Sequence, residues 1–202
     1  MSRTNYKDVI LAFYNDFIAV TEHSDSNAVA WSTKETQYMR FIILNEIGVT
    51  NEDTILDLGC GMGHYTDFLA LIEYPLEKYT GIDINEKYVE SCRMRKPELR
   101  FLHGEIFDLS EPFDYVVGSG IFTVGMSKNE VLEAIAYAYS ICNKGVAFNF
   151  LTKEYLDDPK YNTFVPEEFY NELKVLYPTI RLITDYIGNE DFTIYIDKDG
   201  QR

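Results

Sequence analysis

Hydrophobic and polar positions follow two different periods along this chain of 202 residues. Short apolar runs bounded by glycine, proline or polar residues indicate buried strands, and apolar positions three or four residues apart indicate amphipathic helices. Strands are predicted at 54–58, 79–84, 99–103, 113–118, 145–150, 180–187 and 192–197. Helices between them are predicted at 65–72, 86–94, 128–142 and 166–176. Strands that alternate with helices predict an α/β fold with a doubly wound, mainly parallel sheet and helices on both faces.

The two ends of the chain depart from this alternation. Only residues 188–191 separate the last two predicted strands, which is too short for a crossover, so the last strand is predicted to be antiparallel. Two amphipathic helices are predicted within the first fifty residues, joined by a polar loop over 21–30. We therefore predict a single domain over 1–202, with a seven-stranded core at 51–202 and two N-terminal helices at 1–50 that act as a lid.

Composition narrows the class of partner. The chain has 33 acidic against 18 basic residues, a net charge of −15, and nucleic-acid binding depends largely on cationic contacts. The three cysteines are far apart and have no paired spacing, which fits a reduced cytosol and predicts neither a zinc site nor a disulfide framework. No run reaches membrane length. These features predict a cytoplasmic protein without a nucleic-acid or membrane partner.

A glycine-rich turn follows the first predicted strand of the core. Asp57 is placed at the end of that strand, and Gly59, Gly61 and Gly63 follow it at alternating positions. Glycine permits positive φ and lets the backbone approach a ligand closely, and Cys60 between the glycines is small enough for the same turn. A carboxylate at position 57 would repel a phosphate but can receive an ammonium group. The turn therefore predicts a nucleotide-type cradle that does not suit a phosphate.

A second acid is placed at the end of the second strand. Asp83 closes the run 79–84, twenty residues beyond Gly63, and a carboxylate there can accept hydrogen bonds from both hydroxyls of a ribose. Ile84 beside it is placed to lie against an adenine ring. The alternative is a purely structural strand–helix–strand crossover in which the acid occurs by chance.

Together these two motifs resemble those of the class I S-adenosylmethionine (SAM)-dependent methyltransferases, which have a Rossmann-like fold. The resemblance implies SAM as cofactor and S-adenosylhomocysteine as product. It further implies that Glu105, where the family commonly has aspartate, accepts from the adenine amine, with Ile106 beside it. Ser119, after the fourth strand, is placed beside the sulfonium.

The same resemblance implies residues for the acceptor side. Candidate substrate-binding residues are Trp31, Tyr38, Phe122 and Asn149. Arg40 is a candidate partner for the methionyl carboxylate of SAM, since a guanidinium suits that group. His64 and His23 are candidate general bases, which methyl transfer needs only when the acceptor must lose a proton. No acid or histidine spacing predicts a metal site.

Three functions remain open from the sequence. The preferred prediction is a methyltransferase that acts on an oxygen or nitrogen of a small molecule. The alternatives are a methyltransferase for RNA or protein, and a SAM-binding module without catalysis. The cofactor motifs fit all three because they report binding and not turnover, and the oligomeric state is open.

Overall fold

The structure is a computed structural model that describes residues 4–20, 33–156 and 158–198, with backbone alone at 4, 5 and 17–20. Its helices are α1 (Thr4–Val20), α2 (Lys34–Asn45), α3 (His64–Leu71), α4 (Glu86–Arg95), α5 (Lys128–Ile141) and α6 (Pro166–Lys174). Its strands are β1 (Ile55–Leu58), β2 (Tyr79–Asp83), β3 (Arg100–His103), β4 (Phe113–Gly118), β5 (Cys142–Thr152), β6 (Thr163–Phe164), β7 (Ile180–Ile183) and β8 (Asp191–Asp197).

The sheet has the order β3-β2-β1-β4-β5-β8-β7, with β6 paired to β5. Strand β8 is antiparallel to both of its neighbours, and the other pairings are parallel. The predicted α/β fold with an antiparallel last strand is confirmed. The prediction missed β6, because two residues are too few to show a period. It also began β5 three residues late, because Cys142 caps α5 and starts β5 without a loop.

Helix starts follow local capping chemistry. The Asn85 side chain accepts a hydrogen bond from Lys87 N at the start of α4. At the start of α5, Ser127 and Glu130 form the reciprocal capping box that their spacing predicts, with Glu130 accepting from Ser127 N at 2.7 Å. Thr33 caps α2 by accepting from Thr36 N. These caps fix the residue at which each of the three helices begins.

Helices cover both faces of the sheet. Phe41 of α2, Phe68 of α3 and Val89 of α4 pack in one hydrophobic cluster on one face. Ile135 of α5 and Leu173 of α6 pack in a second cluster on the other face. None of the α1 side chains that the structure describes belongs to either cluster. Helix α1 instead lies at the edge where the parallel strands have their carboxyl ends.

In the part of the chain that the structure describes, every helix is too short or too polar to cross a bilayer.

Candidate active site

A cavity opens at the carboxyl ends of β1, β2, β3 and β4, where open α/β sheets bind their ligands. Its empty volume, including the mouth, is about 1110 Å³. The glycine turn after β1, the residues after the other three strands, and one side of α1 form its walls. Residues far apart in the sequence therefore meet around one space.

The three glycines of the turn have two structural roles, since two of them line the cavity and the third packs against the core. Gly59 and Gly61 line the cavity, and both have positive φ. A Cβ at Gly59 would lie 2.3 Å from Ile121 Cγ2, so any other residue at this position would clash with Ile121. Gly63 also has positive φ but faces inward, where a Cβ would lie 3.1 Å from Cys92 Sγ. Gly63 thus lets α3 pack on the core. Cys60, between the first two glycines, lies in the cavity wall.

Asp57 is a buried carboxyl in the cavity wall. It is 4% exposed and accepts a hydrogen bond of 2.7 Å from the Tyr79 hydroxyl. Burial raises the pKa of Asp57 to about 7, and the nearby charge of Asp83 contributes in the same direction. An unpaired carboxylate here is costly, so a cation entering the cavity would favour its ionised form.

Asp83 closes β2 and is held by backbone donors. Its two oxygens accept from Gly61 N at 2.9 Å and Asn85 N at 2.8 Å. Burial raises the pKa of Asp83 to about 6, although both hydrogen bonds act in the opposite direction. Each carboxylate oxygen can accept a second hydrogen bond, and Asp83 and Ile84 both line the cavity.

The raised pKa of Asp57 makes stability depend on pH. The Asp57 carboxyl binds its proton more tightly in the folded protein than in the unfolded chain, so protonation of Asp57 stabilises the fold. This contribution is complete below about pH 4 and is lost as pH rises through about 7. Asp57→Asn removes the titration. We expect the stability of Asp57→Asn relative to wild type to increase by about 1.4 kcal/mol between pH 5 and 6. Urea unfolding of both proteins at pH 5, 6 and 7 measures this, and a constant difference would contradict it.

Helix α1 holds the carboxylate of Glu105. The Tyr6 hydroxyl donates to one Glu105 oxygen, and the Lys7 ammonium pairs with the other. Glu105 also caps the short turn 106–108, where Asp108 accepts from Glu105 N at 2.8 Å. Glu105 and the buried Ile106 both line the cavity. Their contact with an adenine stays a prediction.

The three site residues predicted near the ends of β4 and β5 differ in their placement. Ser119 lines the cavity, and its hydroxyl oxygen is buried without a partner among the described residues. Phe122 also lines the cavity and stacks on Phe150 with ring centroids 5.4 Å apart. Asn149 lies behind the wall, where its Oδ1 accepts from Gly120 N at 3.0 Å. Asn149 therefore holds the wall in place and does not itself line the cavity.

His64, the first residue of α3, lines the cavity together with Gln37 of α2. Gln37 Nε2 lies 3.2 Å from His64 Nδ1. Burial lowers the pKa of His64, so the ring is neutral at pH 7.

Two predicted site residues of α2 lie outside the cavity wall. Arg40 is 2% exposed, and its guanidinium pairs with Asp191 and lies 3.6 Å from Glu190. Tyr38 packs its ring against Phe41 and Phe68. The other two predicted residues of the N-terminal region, His23 and Trp31, lie outside the described residues.

Helix α1 contributes four cavity residues that the sequence did not single out: Tyr6, Ile10, Leu11 and Tyr14. Their spacing of three or four residues marks one face of a helix, as an ordinary core-facing stripe does. The apolar face predicted from the sequence includes Val9, Ile10 and Phe13. Of these three, Ile10 lines the cavity and Val9 is 47% exposed, so the pattern predicts an amphipathic helix but not the face that covers the cavity.

A cavity at the carboxyl ends of a mainly parallel sheet, lined by carboxyls and by none of the described lysines or arginines, suits a nucleotide-type ligand without phosphates. A family model described as Methyltransferase domain matches residues 50–193. The chain belongs to this methyltransferase family, and the predicted membership of the class I SAM-dependent methyltransferases is confirmed.

Similar proteins share the fold more widely than the sequence. Trans-aconitate 2-methyltransferases from an Enterobacter species and Rhizobium rhizogenes are 36% and 28% identical over 64 and 105 residues, or 32% and 46% of this chain. Those matches span only 25% and 40% of the relatives' own length. Magnesium protoporphyrin IX methyltransferase from Synechocystis, crystallised with bound SAM, superposes with a TM-score of 0.64 at 13% identity, covering 96% of this chain and 97% of that one.

A second structure is phosphoethanolamine N-methyltransferase 1 from Haemonchus contortus, in complex with phosphoethanolamine and S-adenosylhomocysteine. It superposes with a TM-score of 0.71 at 14% identity. The match covers all of this chain and 51% of that one. At these identities the structural likeness reports the fold.

Proposed function

We propose that this protein transfers the methyl group of SAM to an oxygen or nitrogen of a small-molecule acceptor. The observation that carries the proposal is the pair of buried carboxyls, Asp57 and Asp83, on either side of the glycine turn in one cavity. Bound SAM supplies an activated methyl group. The residues of the chain then have to hold the cofactor, align the acceptor and exclude water.

The cavity wall fits the parts of SAM. Asp57 offers a carboxyl for the methionyl ammonium, and Asp83 offers two acceptor positions for the ribose hydroxyls. Gly59 lines the cavity, and a Cβ there would lie 2.3 Å from Ile121 Cγ2 of the same wall, so glycine keeps this part of the wall open. Ser119 Oγ and His64 Nε2 are buried polar atoms without partners among the described residues, as expected of atoms that contact a ligand.

The charge of the cavity favours an uncharged or cationic acceptor. None of the described residues that line the cavity is lysine or arginine, whereas Tyr6, Tyr14 and Phe122 give it aromatic walls. The sequence 21–32 between α1 and α2 also has no lysine or arginine and contains Glu22 and Asp25. Trans-aconitate carries three carboxylates, and no lysine or arginine is among the described residues that line this cavity, since Lys7 is paired with Glu105. We therefore infer a different acceptor class from that named for the curated relatives.

Two measurements test cofactor binding. We expect calorimetry to detect SAM binding and to find NAD at least tenfold weaker, because Asp57 disfavours a pyrophosphate. Asp83→Ala should weaken SAM binding by about 1–3 kcal/mol, since a buried charged acceptor for the ribose is lost. Asp67→Ala is the matched control, because Asp67 is a half-exposed acid of α3 that pairs with Lys96 outside the cavity. NAD binding as tight as SAM binding would refute the proposal.

A screen of acceptors tests the charge argument. Pairs of small aromatic amines and acids on one scaffold, such as tyramine and 4-hydroxyphenylacetate, are incubated with SAM while S-adenosylhomocysteine release is measured. The proposal expects turnover of amines or neutral compounds in preference to the matched acids. Turnover of the acids alone would contradict it.

A further inference from the structure

Gln37 and His64 form a hydrogen-bonded pair in the cavity wall beside the glycine turn. Gln37 is 3% exposed, and its Nε2 lies 3.2 Å from His64 Nδ1. An amide nitrogen can only donate, so His64 Nδ1 is the acceptor of this bond. A neutral imidazole carries one proton, and that proton must then be on Nε2. With the Gln37 amide in this orientation, the pair places the proton of neutral His64 on Nε2.

The proton on Nε2 makes His64 a buried donor that lines the cavity. Nε2 is buried and has no partner among the described residues. A buried donor left unpaired costs about 1–3 kcal/mol, so a ligand that accepts this hydrogen bond gains affinity. A carboxylate oxygen is the strongest acceptor for such a group.

The methionyl carboxylate of SAM is such an acceptor, and the described cavity wall has no lysine or arginine to bind it. The methionyl end of SAM carries a carboxylate next to the ammonium assigned to Asp57. Arg40, the predicted partner, instead pairs with Asp191 and does not line the cavity. The described cavity wall also offers no lysine. His64 lies directly after the glycine turn that follows Asp57, so it is close in the fold to the methionyl end.

Resting on the proposed function, we infer that His64 is a cofactor-binding residue and not a general base. Held in its Nε2–H form by Gln37, it donates a hydrogen bond to the methionyl carboxylate of SAM. Because burial lowers the pKa of His64, the ring keeps this form at neutral pH. Gln37 is the positioning residue of the pair.

Calorimetry with two ligands tests the inference. His64→Leu should weaken SAM binding about 10- to 100-fold, the loss expected for a buried hydrogen bond to a charged group. Decarboxylated SAM keeps the ammonium, sulfonium and adenosine but lacks the carboxylate. Its affinity should therefore change less than about threefold on the same substitution, well below the tenfold that one lost hydrogen bond of this kind costs. An equal loss for both ligands would overturn the inference.

The wild-type protein provides a second readout that does not depend on a variant's folding. Nitrogen-15 NMR of the imidazole should report the Nε2–H tautomer at pH 7, and Gln37→Met should shift the population toward Nδ1–H. His64→Gln retains an amide donor and should recover part of the SAM affinity. An Nδ1–H tautomer in the wild type would overturn the inference. Failure of wild-type protein to bind SAM would instead refute the proposed function.

Discussion

We expect Arg40→Met to lower the free energy of unfolding by about 3–5 kcal/mol, the cost of leaving a buried charge without its partner. The guanidinium pairs with Asp191, and the two side chains are 3% and 2% exposed. Burial raises the pKa of Asp191 even though Arg40 acts in the opposite direction. Removing the guanidinium would leave the Asp191 carboxylate buried between α2 and the start of β8 without its Arg40 partner. Urea unfolding at pH 7 measures the change.

Two further variants distinguish the cost of an unpaired buried charge from a nonspecific loss of stability. Arg40→Met combined with Asp191→Leu removes both charges and should recover most of the lost stability, since apolar replacements of buried ion pairs are often neutral. Arg100→Met is the matched control, because its partner Glu111 is 42% exposed and Arg100 is 49% exposed. It should cost less than about 1 kcal/mol. Equal losses for Arg40→Met and the double variant would contradict the assignment of the effect to charge.

The cofactor side of the site could be predicted because its signals are local in sequence. Asp57 and the glycines lie within seven consecutive residues, and Asp83 ends a strand that pairs directly with β1. A strand, a glycine turn and a helix start fix the positions of their residues with little help from the rest of the fold. The sequence therefore predicts most of the residues that line the cavity after β1 and β2, and the exception is Gly63, which packs against the core.

The placement of Arg40 could not be predicted in this way. Its partner Asp191 is 151 residues away in the sequence, at the start of the antiparallel strand. A helical arginine next to a cofactor motif is equally compatible with a ligand contact and with an ion pair across the sheet. Gln37 is a similar case, since only the packing of α2 against the start of α3 brings it to His64.

The position of helix α1 also could not be predicted from the sequence. Its apolar stripe predicts a buried face, but the sequence does not say what that face covers. In the structure, Tyr6 and Lys7 bind Glu105, and Asn85 Nδ2 lies 3.4 Å from Asn15 Oδ1. These contacts tie the helix to the ends of β2 and β3. We therefore propose that α1 is the part of the predicted lid that covers the cofactor cavity.

Displacing α1 should reduce methyl transfer by at least about 10²-fold, the scale of loss that follows from poorly held reacting groups. Gly125→Ala provides the displacement, because its Cβ would lie 2.8 Å from Ile10 Cγ1 and 3.0 Å from the Tyr6 carbonyl oxygen. Gly125 also has a φ of +84°, so the change strains the backbone. Turnover and the rate of SAM dissociation, measured by stopped-flow fluorescence, report the result. The substitution should slow turnover and speed dissociation together.

Gly188→Ala is the matched control for backbone strain. Gly188 has a φ of +51°, and a Cβ there would meet nothing within 4 Å. Both alanines should cost about 1–2 kcal/mol of stability through the left-handed backbone, but only Gly125→Ala should affect turnover. Deleting residues 1–20 should have the same effect on turnover while leaving the protein folded, because the described α1 side chains are absent from both main hydrophobic clusters. Full turnover in the truncated protein would refute the lid, and its unfolding would assign α1 a structural role.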